Sequence, residues 1–102
     1  MKKITLVCAS GMSTSLLVSK MKAAAQKMNV EVEIRATAES NFAEFEKDTD
    51  VVLLGPQIGY TLKRMKETYE PKGIKVAVIN SLDYGVMNGT KVLQEAFELL
   101  NK

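Results

Sequence analysis

Ile4-Thr5-Leu6-Val7-Cys8-Ala9-Ser10-Gly11-Met12-Ser13-Thr14-Ser15-Leu16-Leu17 is the stretch that decides the fold. Its first four residues form a nearly continuous apolar run, the pattern of a strand buried on both faces. A polar loop, Cys8 to Ser13, follows. From about Thr14 to Met28, apolar residues recur at helical spacing: Leu16, Leu17, Met21, Ala24, Ala25 and Met28. Ser13 or Thr14 is suited to the N-cap, and Asn29 to the left-handed residue that ends the helix. Strand, tight loop, helix is the opening of a βαβ unit.

The rest of the chain continues the alternation. Val30, Val32, Ile34 and Ala36 alternate with charged residues, which predicts an edge strand exposed on one face. A helix is expected over roughly Glu39 to Lys47, with Phe42 and Phe45 inward. Asp50 to Leu54 reads as a second buried strand, stopped by Gly55-Pro56. A third helix should run from about Gln57 to Tyr69. Lys75 to Ile79 is the last strand, and Asn88 or Gly89 opens a helix through Leu100. The expected fold is α/β: a four-stranded parallel sheet of order 2-1-3-4 with helices on both faces, doubly wound, in a single domain over 1–102. In such sheets ligands bind beyond the carboxyl ends of the central strands. Cys8, Gly55-Pro56-Gln57 and Asn80 to Gly85 should meet there, with Gln57 and Tyr84 on the rim.

Composition narrows the chemistry. The chain has no histidine and one cysteine, so histidine catalysis, histidine metal ligation and an internal disulfide are all excluded. No metal site and no cofactor motif is present; GxGxxG and GxxxxGK are both missing. The opening Met1-Lys2-Lys3 lacks the apolar run of a signal peptide, so a cytoplasmic protein without direct membrane insertion is expected. Net charge is +2, distributed unevenly. Residues 1–38 hold six basic and two acidic side chains, whereas 39–50 hold five acids against Lys47. Either run reads as a solvated face, or the basic third faces an acidic or phosphorylated partner. With arginine only at 35 and 64, no nucleic-acid partner is expected.

Cys8 is the candidate nucleophile. The loop Ala9, Ser10, Gly11, Met12, Ser13, Thr14 and Ser15 can wrap backbone N–H groups around the sulfur. The start of a helix adds donors and partial positive charge. Both favour an anion, first a thiolate and then a phosphoryl group. Gly11 allows close approach, and the hydroxyls of Ser10, Ser13, Thr14 and Ser15 add donors without bulk. The competing reading is a small buried apolar side chain at a strand end, which a loop so rich in hydroxyls disfavours. Met12 at the loop tip suits contact with a protein partner.

Position 14, six residues after Cys8, separates two chemistries. A cysteine phosphatase loop of the form Cys-x5-Arg would place arginine there to stabilise charge in the hydrolytic transition state. Thr14 and neutral donors hold phosphate without that help, which fits a carrier better than a hydrolase. Asp83 is the only nearby acid for the phosphatase alternative. A redox protein lacks its resolving cysteine, and the loops lack the acidic pair of a receiver or the hydroxyl-rich phosphate loop of a flavin module.

VCASGMSTSLLVSKM at 7–21, DVVLLGPQIGY at 50–60 and SLDYG at 81–85 resemble the enzyme IIB component of the phosphoenolpyruvate-dependent sugar phosphotransferase system, lactose/cellobiose (chitobiose) type. The resemblance spans essentially the whole chain. It implies a phosphocysteine at Cys8, charged by a phosphohistidine of a IIA protein. The phosphoryl group would then pass to a disaccharide such as cellobiose or chitobiose, held by the IIC membrane permease. The missing histidine fits, because the donor imidazole belongs to another protein. A monomer is expected, since a carrier needs its active edge open.

Overall fold

The computed structural model describes residues 1–9 and 14–101. Strands β1 (Lys2–Cys8), β2 (Val32–Ala38), β3 (Val51–Leu54) and β4 (Lys75–Val78) form one four-stranded sheet of order β2-β1-β3-β4. Every pairing is parallel. Helices α1 (Ser15–Met28), α2 (Leu62–Tyr69), α3 (Ser81–Gly85) and α4 (Gly89–Leu100) complete the α/β order. The expected sheet order and the doubly wound class both hold. β1 and β3 are central because they alone are apolar enough to be covered on both faces.

Strand periodicity divides the core in two. Ile4, Leu6, Val51 and Leu53 face α1 and α4, packing on Leu17, Met21, Val92 and Leu93. Val7, Val52 and Leu54 point the opposite way, onto Phe42, Ile58, Met65 and Ile74. Thr5 is the polar exception within buried β1. Its hydroxyl lies 2.8 Å from Thr49 Oγ1, which itself donates to the Phe45 carbonyl at 2.8 Å. Thr49 spends its one proton on that carbonyl, so Thr5 donates to Thr49 and the pair is satisfied.

Three local expectations are corrected. Glu39–Asp48 is a 3-10 helix rather than an α-helix. Its two phenylalanines are three residues apart, a spacing that eclipses them on one side of a threefold helix. Phe42 is buried edge-on against Tyr69, with centroids 4.9 Å apart; Phe45 lies under the Arg35 guanidinium at 5.3 Å. The segment after β3 is also 3-10 over Pro56–Thr61, with a non-helical Ile58, before α2 begins. Along α1, Val18 rather than Leu16 completes the buried stripe, because the buried set follows Leu17, Met21, Ala24 and Ala25 around the helix. Asn29 takes the left-handed conformation as expected, with φ 56° and ψ 45°.

The uneven charge is resolved largely within the molecule. Asp48 from the acidic run pairs with both Lys3 and Arg35, and Glu46 pairs with Lys72. The hydrogen bonds from Lys3 and Arg35 hold the Asp48 carboxyl below its usual range, and the bond to Asp48 holds Lys3 above its own.

Helix α4 enters against α1 at Gly89, where an added Cβ would stand 2.5 Å from the Lys20 carbonyl carbon and 2.6 Å from the Met21 nitrogen. Backbone on the far side cannot give way. Gly89→Ala should cost about 3 kcal/mol of stability in urea unfolding. Gly85→Ala, where nothing lies within 4 Å, should be neutral or slightly stabilising.

Candidate functional site

Parallel pairing brings all four strand ends to one edge. Cys8 pairs with Ala38, and Val7 with Leu54, so the residues after each strand open onto a common surface. Cys8 is the last residue of β1, and its side chain is buried, 1% exposed. Thr14, entirely buried, donates its hydroxyl to Cys8 Sγ at 3.7 Å. It occupies the N-cap position of α1 without a side-chain capping bond, and its carbonyl accepts from Val18 at 2.9 Å. The hydroxyl expected to close the helix is directed at sulfur instead. This places a donor, and the start of a 14-residue helix, beside the sole thiol. Both favour negative charge there.

Ala9 and Ser15 flank the site and are exposed. Ser10, Gly11, Met12 and Ser13, expected to complete the phosphate cradle, lie outside the described residues. Gly55 continues β3 beside Cys8, and its N–H donates to the Val7 carbonyl at 2.7 Å. Tyr84, expected on the rim, is buried instead: it is 8% exposed and packs in the cluster of α1 and α4. The Asn80 side chain caps α3 by accepting from Leu82 and Asp83, and that short helix turns Tyr84 inward. Asp83, the acid of the phosphatase alternative, is likewise buried in α3.

Three exposed side chains on segments that follow β3 and β4 were not singled out by the sequence. Tyr60, Leu82 and Val86 are 83%, 73% and 64% exposed. Leu16 on the first turn of α1 joins them at 56%. Leu16 had been expected within the buried stripe of α1, so its exposure is a finding of the structure. Beside Ala9 opens a pocket of 380 Å³, bounded by Phe42, Tyr60, Met65 and the Glu39–Arg64 ion pair. A larger concavity of 640 Å³ follows edge strand β2 near Ile34 and Phe45. Its lining holds no cysteine, so chemistry rather than size selects the Cys8 edge. Among the described residues, no helix is long and apolar enough to cross a membrane.

Comparison with known proteins agrees with this geometry. The family model for the lactose/cellobiose-specific IIB subunit of the PTS system matches residues 3–95. The oligo-beta-mannoside-specific EIIB component of Bacillus subtilis is 41% identical, over 98% of this chain and 97% of that one. The cellobiose-specific EIIB component of Lactococcus lactis subsp. lactis is 42% identical, with the same two coverages. A solution structure of the cellobiose-specific IIB component from Borrelia burgdorferi superposes with a TM-score of 0.81. It is 46% identical and covers 98% of this chain and 92% of that one.

The Thr14 contact has a direct consequence for reactivity. Thr14→Val, which removes the hydroxyl but keeps the shape, should slow alkylation of Cys8 at neutral pH about tenfold. Thr14→Ser should react at close to the native rate. A time course by intact mass, with stability checked in parallel, measures both.

Proposed function

The chain belongs to the lactose/cellobiose-specific IIB subunits of the sugar phosphotransferase system, and from that premise we propose that Cys8 is its phosphoryl carrier. The thiolate sulfur attacks the phosphorus of a phosphohistidine on a IIA partner. An S–P bond forms, the N–P bond breaks, and its electron pair returns to the imidazole. In the second step a sugar hydroxyl held by the IIC permease attacks the same phosphorus. The S–P bond breaks, the thiolate is regenerated, and the hydroxyl proton passes to a base outside this chain. The observation that carries the reading is the burial of the sole cysteine at the end of a central strand, with Thr14 donating to its sulfur.

The loop from Ala9 to Ser15 is the proposed phosphate cradle, with Ser10, Ser13 and Thr14 as side-chain donors and Met12 toward the partner. Exposed Leu16 and Tyr60 extend that partner surface. Two partners must reach one sulfur in turn, so contact is brief and the carrier works as a single-domain monomer in the cytoplasm. The acceptor is a β-linked disaccharide of the cellobiose or chitobiose class. Relatives whose names specify oligo-beta-mannosides and cellobiose are about equally similar, so selection among such sugars is assigned to IIC.

Incubation with phosphoenolpyruvate and the upstream carriers should add one phosphoryl group by intact mass. Cys8→Ser should abolish it while circular dichroism stays native. The purified chain alone should take nothing from phosphoenolpyruvate or ATP, because its sequence holds neither a histidine nor a nucleotide loop. Labelling that survives Cys8→Ser contradicts the assignment.

A further inference from the structure

Gly55 poses a question that its backbone does not answer. With φ −60° and ψ 148° it lies in a region open to every residue, so conformational freedom does not require glycine. Space does. A Cβ built there would stand 3.1 Å from Gln57 Oε1 and 3.5 Å from Cys8 Cβ. The side chain of Gln57 therefore folds back over Gly55, so its carboxamide and Cys8 border the same small space. Glycine keeps open the space through which a polar group approaches the nucleophile.

The carboxamide is not held there by hydrogen bonds of its own. Its residue sits exposed in the 3-10 turn Pro56–Thr61, and Gln57 makes no side-chain hydrogen bond to a described residue. Pro56 at the start of that turn and the Ile58 N–H bonded to the Gly55 carbonyl at 3.0 Å fix the backbone beneath it. A neutral carboxamide with uncommitted donors thus borders the space beside Cys8; Oε1 is its atom nearer Gly55, and rotation about the last side-chain bond presents Nε2 in its place.

We propose that Gln57 is a phosphoryl-binding residue, donating its Nε2–H to an oxygen of the group carried on Cys8, and that Gly55 is kept small to let it do so. This rests on the reading of Cys8 as the carrier. A donated hydrogen bond favours the doubly charged phosphoryl group over the singly charged one. It also favours the transition state of transfer, in which charge spreads over the same oxygens. Being neutral, the amide steadies the group without the fixed charge that promotes attack by water.

The test uses the full chain, phosphorylated by its upstream carriers, in native, Gln57→Leu, Gln57→Glu and Gly55→Ala forms. The phosphorus resonance followed against pH reports the second ionisation of the group on Cys8. Gln57→Leu should move its midpoint upward, and Gln57→Glu further upward, because a carboxylate opposes the second charge. Gly55→Ala should act in the direction of Gln57→Leu, since the methyl displaces the carboxamide while meeting Cys8 Cβ only at ordinary contact distance. Turnover at saturating IIA partner should fall about tenfold in Gln57→Leu with KM near native. Equal midpoints in the native, Leu and Glu forms overturn the proposal, even if rates fall. A native chain that takes up no phosphoryl group overturns the carrier reading and this proposal with it; native uptake with equal midpoints overturns this proposal alone.

Discussion

The parallel insertion of β1 between β2 and β3 is the constraint on which the rest depends. One strand of seven residues, buried from Ile4 onward, must find partners on both edges and cover on both faces. That requirement puts helices on either side and sets Cys8 level with Ala38 and one residue beyond the last β1–β3 pair. The Gly55 N–H on the Val7 carbonyl extends the ladder to the level of Cys8. The position of the sulfur is therefore fixed by sheet register. Loop residues decide what surrounds it.

Burial at a strand end and reactivity are reconciled by the polar neighbours. A sulfur 1% exposed in an apolar niche would favour the neutral thiol and stay inert. Thr14 changes that balance because its hydroxyl is buried with the sulfur and directed at it, and because it stands at the start of α1. Its size also matters. Arginine in its place would bring a fixed cation to the same spot, which is an advantage for hydrolysis and a liability for a group that must await its acceptor. Family membership and this local chemistry are independent lines, and both favour a carrier.

Much of this was legible in the chain because the informative residues act locally. Ile4–Val7, interrupted only by Thr5, and Val51–Leu54 are apolar runs, and two such runs allow few arrangements other than the observed order. The short polar loop after Cys8 marked the site in the same way. What the sequence concealed depends on contacts between distant segments. Phe42 and Phe45 looked helical, yet their meeting with Tyr69 and Arg35 selected a tighter turn. Tyr84 had the composition of a rim residue, but the Asn80 cap rotates α3 so that it enters the core. Gln57 was expected at the Cys8 edge, but the folding of its side chain over Gly55 had no one-dimensional signal.

The central claim is that this site stores a phosphoryl group and yields it only to a partner. The measurement that tests it most directly is the lifetime of phosphorylated Cys8 in the isolated chain after the donor is removed, followed by intact mass beside Thr14→Arg. Native phosphate should persist for at least minutes, because the loop sequence from Ala9 to Ser15 holds no charged side chain. The arginine variant should lose it faster, by about one to two orders of magnitude if about 2 kcal/mol of transition-state stabilisation is gained. Loss from the native protein within seconds, without a partner, would contradict the account and reinstate a phosphatase.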